Sequence, residues 1–104
     1  MTNIILSGCS GKMGRVIARE IAKRDDCKVV AGVDVFSDGS AEFPVYDDFS
    51  KVQEKADAII DFSNPAVLAG LLNYAVSKNV PAVICTTGFS KEQIADIEKA
   101  SKKV

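Results

Sequence analysis

The sequence predicts an α/β fold, with one parallel sheet covered by helices on both faces. Three observations point there. Short runs rich in β-branched residues alternate with longer amphipathic stretches along all 104 residues. The runs are apolar at consecutive positions, as in strands buried on both faces. Gly8, Gly11 and Gly14 mark the passage from the first run to the first amphipathic stretch.

Each element has its own signal. Residues 3–7, with Ile4, Ile5 and Leu6, form the first expected strand. A helix follows from residue 11 or 12 to about 24. Met13, Val16, Ile17, Ile21 and Ala22 are its expected inward stripe, with Arg15, Arg19, Glu20 and Lys23 outward. Lys23 and Arg24 complement the negative end of its dipole. Residues 27–33 are the second strand. A polar loop over 36–43 carries the turn signal Asp38-Gly39. Pro44 restricts the short strand at 44–46 to an edge or a strand start. One or two helical turns are expected within 47–54. Residues 57–62 form the next strand.

Ser63-Asn64-Pro65 then starts a helix over 65–78, because a capping side chain precedes a proline in the first turn. Val67, Leu68, Leu71, Leu72, Ala75 and Val76 share one side of it, and Asn79 suits its stop. Residues 81–85 make the last strand. Ser90 and Gln93 have the spacing of a capping box for a helix to about residue 100, with Ile94 and Ile97 facing inward. The alternation then calls for one more strand.

Composition narrows the function. With 47% apolar and 26% charged residues, the chain reads as one globular domain over 1–104. The net charge of −1, without a basic stripe, argues against nucleic acid as a partner. No apolar run approaches the ~20 residues of a membrane span and no signal peptide is evident, so the expected location is cytoplasmic. Three cysteines without a CxxC pair suggest neither a disulfide framework nor a zinc site. Histidine is absent, which removes the commonest general base and metal ligand.

The chemistry gathers at the carboxyl ends of the strands, where open α/β sheets bind ligands. Gly8 serves the bend, Gly11 the close approach of a ligand, and Gly14 the packing of helix on strand. The helix start offers N–H groups and a positive dipole end to a pyrophosphate. Asp34 stands 20 residues past Gly14 and can accept a hydrogen bond from a ribose 2′-hydroxyl. Together these features predict a Rossmann-type doubly wound parallel sheet, three layers αβα, that binds a dinucleotide. Lys12 is either a partner for a cofactor phosphate or a solvated charge. The turn from Asp61 to Asn64 is either capping chemistry or part of the site. The run Cys85-Thr86-Thr87-Gly88 is either a turn or part of the site. A 2′-phosphate would meet the Asp34 carboxylate, and Val35 after it is no cation. The sequence therefore predicts a preference for NADH over NADPH, unless Lys12 or another cation reaches the phosphate.

The glycine turn at 8–14, the Asp61-Phe62-Ser63-Asn64-Pro65 turn and the Thr86-Thr87-Gly88-Phe89 turn together resemble dihydrodipicolinate reductase. The resemblance spans all 104 residues and corresponds to that family's N-terminal cofactor domain. It implies NADH or NADPH as cofactor, reduction of a cyclic dicarboxylic imine on the diaminopimelate route to lysine, and a homotetramer. It also implies that Gly8, Cys9, Ser10, Gly11, Lys12 and Met13 hold the pyrophosphate and that Asp34 binds the adenosine ribose. Phe62 would line the cofactor groove, with Cys85, Thr86 and Thr87 near the nicotinamide. Cys85 stands where many members have glycine. The family's catalytic histidine and lysine belong to a substrate domain outside these 104 residues, so no catalytic residue is expected here and the chain alone is expected to bind cofactor without turnover. The alternatives are the cofactor domain of another NAD-dependent dehydrogenase, or a nucleotide-sensing module without catalysis.

Overall fold

The computed structural model describes residues 2–35, 41–63, 65–85 and 89–101. In chain order the strands and helices are β1 (Thr2–Ser7), α1 (Lys12–Ala22), β2 (Cys27–Val33), β3 (Val45–Tyr46), β4 (Ala58–Asp61), α2 (Leu68–Lys78), β5 (Ala82–Ile84) and α3 (Lys91–Ser101). Short 3-10 turns occupy Phe49–Lys51 and Pro65–Val67. The described strands form one sheet in the order β3-β2-β1-β4-β5, with every pairing parallel. This is the doubly wound order, and the direction of winding reverses between β1 and β4.

β1 is central because it is apolar at consecutive positions. Ile4, Ile5, Leu6 and Ser7 are all buried, and alternate side chains serve opposite faces. Ile5 joins Ala31, Val33 and Ile59 in a core closed by Leu71, Tyr74 and Ala75 of α2 and by Phe49. Each of the Ile, Val and Leu side chains among them contributes about 1.5–3 kcal/mol on burial. The rings of Phe49 and Tyr74 pack 5.5 Å apart at 46°. β3 lies at the edge, as Pro44 requires, and the Pro44 carbonyl accepts from the Gly32 amide at 2.8 Å. The 3-10 turn at Phe49–Lys51 starts on Asp48, whose carboxylate accepts from the Ser50 amide at 2.9 Å.

The helix ends follow the sequence signals. α2 stops on Asn79 in the left-handed conformation, φ 55° and ψ 50°. α3 begins with a reciprocal box: the Ser90 amide donates to Gln93 Oε1 at 2.9 Å, and the Gln93 amide donates to Ser90 Oγ at 3.2 Å. The helix expected from residue 65 divides into a 3-10 turn and then α2, while the capping expected of Asn64 lies outside the described residues. The Asp38-Gly39 turn also lies outside them.

Two expected stripes are rotated. On α1, Ile21 is buried and Ile17 half-buried, but Met13 is 51% exposed, Val16 is 40% exposed and Ala22 faces solvent. The buried residue of the first turn is Gly14. A helix that seats Gly14 turns residues 14, 17, 18 and 21 inward and carries Met13 and Val16 away. On α3, Ile94 is 47% exposed whereas Ile97 is half-buried and Ala100 buried. Gln93 sets that rotation, because its Nε2 donates to the Pro65 carbonyl at 2.8 Å. α1 also ends at Ala22, with Lys23 as its cap rather than Arg24 as the last helical residue.

Candidate dinucleotide site

The site begins with close backbone packing at the end of β1. Gly8 has φ +81°, a conformation that L side chains disfavour. A Cβ there would meet the Phe62 carbonyl group and lie 2.9 Å from the Ser63 nitrogen. The first turn therefore lies directly on the chain leaving β4. A Cβ on Gly14 would strike the Gly8 carbonyl and lie 2.8 Å from the Cys9 Cα, which explains why α1 packs so tightly here. Gly11 differs, because a Cβ there would be 3.5 Å from the Gly8 oxygen, an ordinary contact. The protein's own packing thus leaves its outer side open to an approaching ligand. Gly11 is also the N-cap of α1 and supplies no capping side chain. The first-turn amides and the positive end of the dipole are consequently presented at this loop.

Asp34 ties β2 to the loop. Its Oδ2 accepts from the Ser10 amide at 3.0 Å, and its own amide donates to the Tyr46 carbonyl at 2.9 Å. A carboxylate has about four lone-pair positions, so the bond from Ser10 is compatible with a further one from a sugar hydroxyl. Asp61 is buried at the end of β4. Its carboxylate accepts from the Ser63 amide at 3.2 Å and from the Ser63 hydroxyl, while its carbonyl accepts from the Cys85 amide at 2.9 Å. The Asp61 side chain therefore shapes the turn that carries Phe62.

Gly8, Gly11, Asp34 and Phe62 converge on one cavity of about 570 Å³ at the β1–β4 reversal. Its far wall was not foreseen from sequence: Phe49, Val67 and Gly70 line it. The Asp48–Ser50 cap that seats Phe49 was the available signal. Cys9 and Ser10 instead line a second groove between α1 and β2. Lys12, Met13 and Cys85 are exposed and belong to the described lining of neither cavity. Thr86 and Thr87 lie outside the described residues.

Cys9 is 5% exposed, and burial pushes its thiol above the ordinary range, assisted by the Asp34 charge and opposed by the Ser10 hydroxyl. It stays protonated and a poor nucleophile. Its sulfur fills the space beside Gly32, where a Cβ would lie 2.5 Å from Sγ. The three cysteines are free thiols. Among the described residues no group of three His, Cys, Asp or Glu side chains could hold a metal ion, and no helix is long and apolar enough to cross a membrane.

Comparison with known proteins adds to this geometry. Residues 2–104 match the family described as dihydrodipicolinate reductase, N-terminus. The 4-hydroxy-tetrahydrodipicolinate reductase of Clostridium novyi (strain NT) is 44% identical over 104 residues, which are all of this chain and 41% of that protein. The chain thus spans about two-fifths of the length of the curated relatives it matches. Among solved structures, a dipicolinate-bound dihydrodipicolinate reductase from Paenisporosarcina sp. TG-14 superposes with a TM-score of 0.81 at 25% identity, covering 97% of this chain and 43% of that one. A myo-inositol 2-dehydrogenase from Lactobacillus plantarum superposes at 0.77 with 18% identity, covering 97% of this chain and 33% of that one, a likeness of fold alone.

Proposed function

This chain belongs to the dihydrodipicolinate reductase family, and from that premise we propose that it is the domain that holds NADH or NADPH for the reduction of a cyclic dicarboxylic imine. The observation that carries the reading is the convergence of Gly8, Gly11, Asp34 and Phe62 on one cavity at the β1–β4 reversal. The residues present suit a dinucleotide. The uncapped start of α1 and the loop amides from Gly8 to Met13 suit the pyrophosphate, with Lys12 as a nearby exposed cation. Asp34 accepts from the adenosine ribose, and Phe62 packs against the cofactor in the groove. The resemblance assigns Cys85, Thr86 and Thr87 to the nicotinamide half.

When bound, the nicotinamide supplies a hydride. This chain's part is to fix the cofactor's position by backbone amides and one carboxylate, and to shield one side of it with Phe62. No histidine occurs in these 104 residues, so a histidine proton source is assigned to another part of the enzyme, and the resemblance assigns the anion pocket for the substrate to that part too. The homotetramer that the resemblance implies is likewise assigned to that other part.

The test is a calorimetric titration of the chain with NADH, beside Asp34→Ala. Saturable binding that weakens about tenfold or more in the variant is expected, since a hydrogen bond to a charged group contributes roughly 1.5–3 kcal/mol. Equal affinity in the two proteins would remove Asp34 from the ribose role. Absence of binding to a folded chain would overturn the cofactor reading itself.

A further inference from the structure

The glycine loop separates two cavities. Gly8 and Gly11 line the cavity proposed for the cofactor, whereas Cys9 and Ser10 line the groove behind it, between α1 and β2. Arg15 of α1 reaches the loop from that rear side, and its Nε donates to the Ser10 carbonyl at 2.9 Å. The peptide that joins Ser10 to Gly11 is therefore held at both ends, because its N–H donates to the Gly8 carbonyl at 3.1 Å. The preceding peptide is held too, since the Ser10 amide donates to Asp34 Oδ2 at 3.0 Å.

A trans peptide is planar, with its C=O and N–H pointing opposite ways. A half-turn of the Ser10–Gly11 unit exchanges the two directions. It would carry Gly11 from φ −76° to a positive φ, which glycine adopts at no steric cost. The Gly11 amide would leave its turn, and the Ser10 carbonyl oxygen would replace it on the Gly8 side of the loop. An oxygen there repels the phosphates of a dinucleotide, which the start of α1 otherwise attracts. Glycine at this position thus lets the peptide turn over, and the charge-assisted bond from Arg15 opposes it.

We propose that Arg15 is a positioning residue, a latch that keeps the Ser10–Gly11 peptide from turning over, so that the loop meets a dinucleotide with N–H groups and not with a carbonyl oxygen. The proposal rests on the cofactor reading above, and it gives Arg15 no contact with the cofactor itself. It also makes Gly11 the place where the latch can be replaced. A Cβ there would be 3.5 Å from the Gly8 oxygen, an ordinary contact, so alanine fits the latched loop but resists the positive φ of the turned one.

The experiment measures amide exchange by NMR without cofactor, and NADH affinity by calorimetry. The proteins are the native chain, Arg15→Gln, Arg15→Gln/Gly11→Ala and Arg19→Gln, the last making the same change of charge one turn further along α1. In Arg15→Gln, protection of the Gly11 amide is expected to fall at least tenfold. Protection of the Gly8 amide, bonded to the Val33 carbonyl, should stay within threefold of native. In the double variant the residue-11 amide should return to within threefold of native, a reversal that general loosening would not give. NADH affinity should fall at least tenfold in Arg15→Gln and stay within threefold in Arg19→Gln. Unchanged protection at Gly11 in Arg15→Gln overturns the latch and leaves the cofactor reading intact, even if NADH affinity falls. Lost protection with native NADH affinity overturns the positioning role. Unfolding of Arg15→Gln where Arg19→Gln stays folded also overturns the proposal, because a latch on a loop leaves the core intact. A folded native chain that does not bind NADH overturns both readings.

Discussion

Replacing Gly8 by alanine is the sharpest perturbation the structure offers. The residue has φ +81°, and forcing an L side chain into that region costs about 1–2 kcal/mol. The new methyl would also meet the backbone of Phe62 and Ser63, with the Phe62 carbonyl carbon at 2.7 Å. Backbone at a strand end cannot rotate away as a flexible side chain can. Overpacking of this kind adds about 1–3 kcal/mol. The sum is roughly 2–5 kcal/mol, and each kcal/mol lowers Tm by about 4–8 °C in a domain of this size. Thermal unfolding followed by circular dichroism should therefore show Gly8→Ala melting at least about 8 °C below the native chain. NADH affinity should fall with it, because the shift separates β1 from β4 beside the cavity proposed for the cofactor. A variant that melts within about 2 °C of the native protein would refute the reasoning, since it would mean that Gly8 neither needs its backbone conformation nor touches the β4 turn.

Other consequences are equally direct. Gly70 lies in α2, and a Cβ added there would have nothing within 4 Å, so Gly70→Ala should stabilise the chain by about 0.5–1 kcal/mol, seen as a rise in Tm. Because Gly70 also lines the cavity proposed for the cofactor, the same variant reports whether the added methyl disturbs NADH binding. The hydrogen bonds from Arg24 hold the Asp26 carboxyl down to about 2 from an ordinary 3.8. The folded pKa is lowered, so the stabilisation from this pair is complete above pH 3.8 and is lost as pH falls through about 2. Carbon-detected NMR titration should place the Asp26 midpoint near the lower value in the native chain and return it toward 3.8 in Arg24→Ala.

Much of this architecture was legible because its signals are local. The apolar run at Ile4-Ile5-Leu6 identifies a strand buried on both faces, and β1 lies at the centre of the sheet. Asn79 and the Ser90–Gln93 box are read from neighbouring residues, and both act as the sequence suggests. The hidden parts depend on contacts distant in sequence. Met13 and Val16 look inward on a helical wheel because Gly14 carries no hydrophobic weight, yet Gly14 is what the loop receives. Ile94 looks inward until Gln93 is seen to reach Pro65, 28 residues away. Phe49, seated by the local Asp48–Ser50 cap, also packs its ring on Tyr74 of α2, a contact distant in sequence.

The most direct test of the central claim is to map NADH onto the chain through its backbone amide resonances. If the pyrophosphate sits on the start of α1, the largest shifts on titration fall at Gly8 to Met13, with others at Asp34 and Phe62, while the amino-terminal ends of the strands near Asn3 and Lys28 stay still. Shifts centred elsewhere, or none at the glycine loop under saturating NADH, would contradict it.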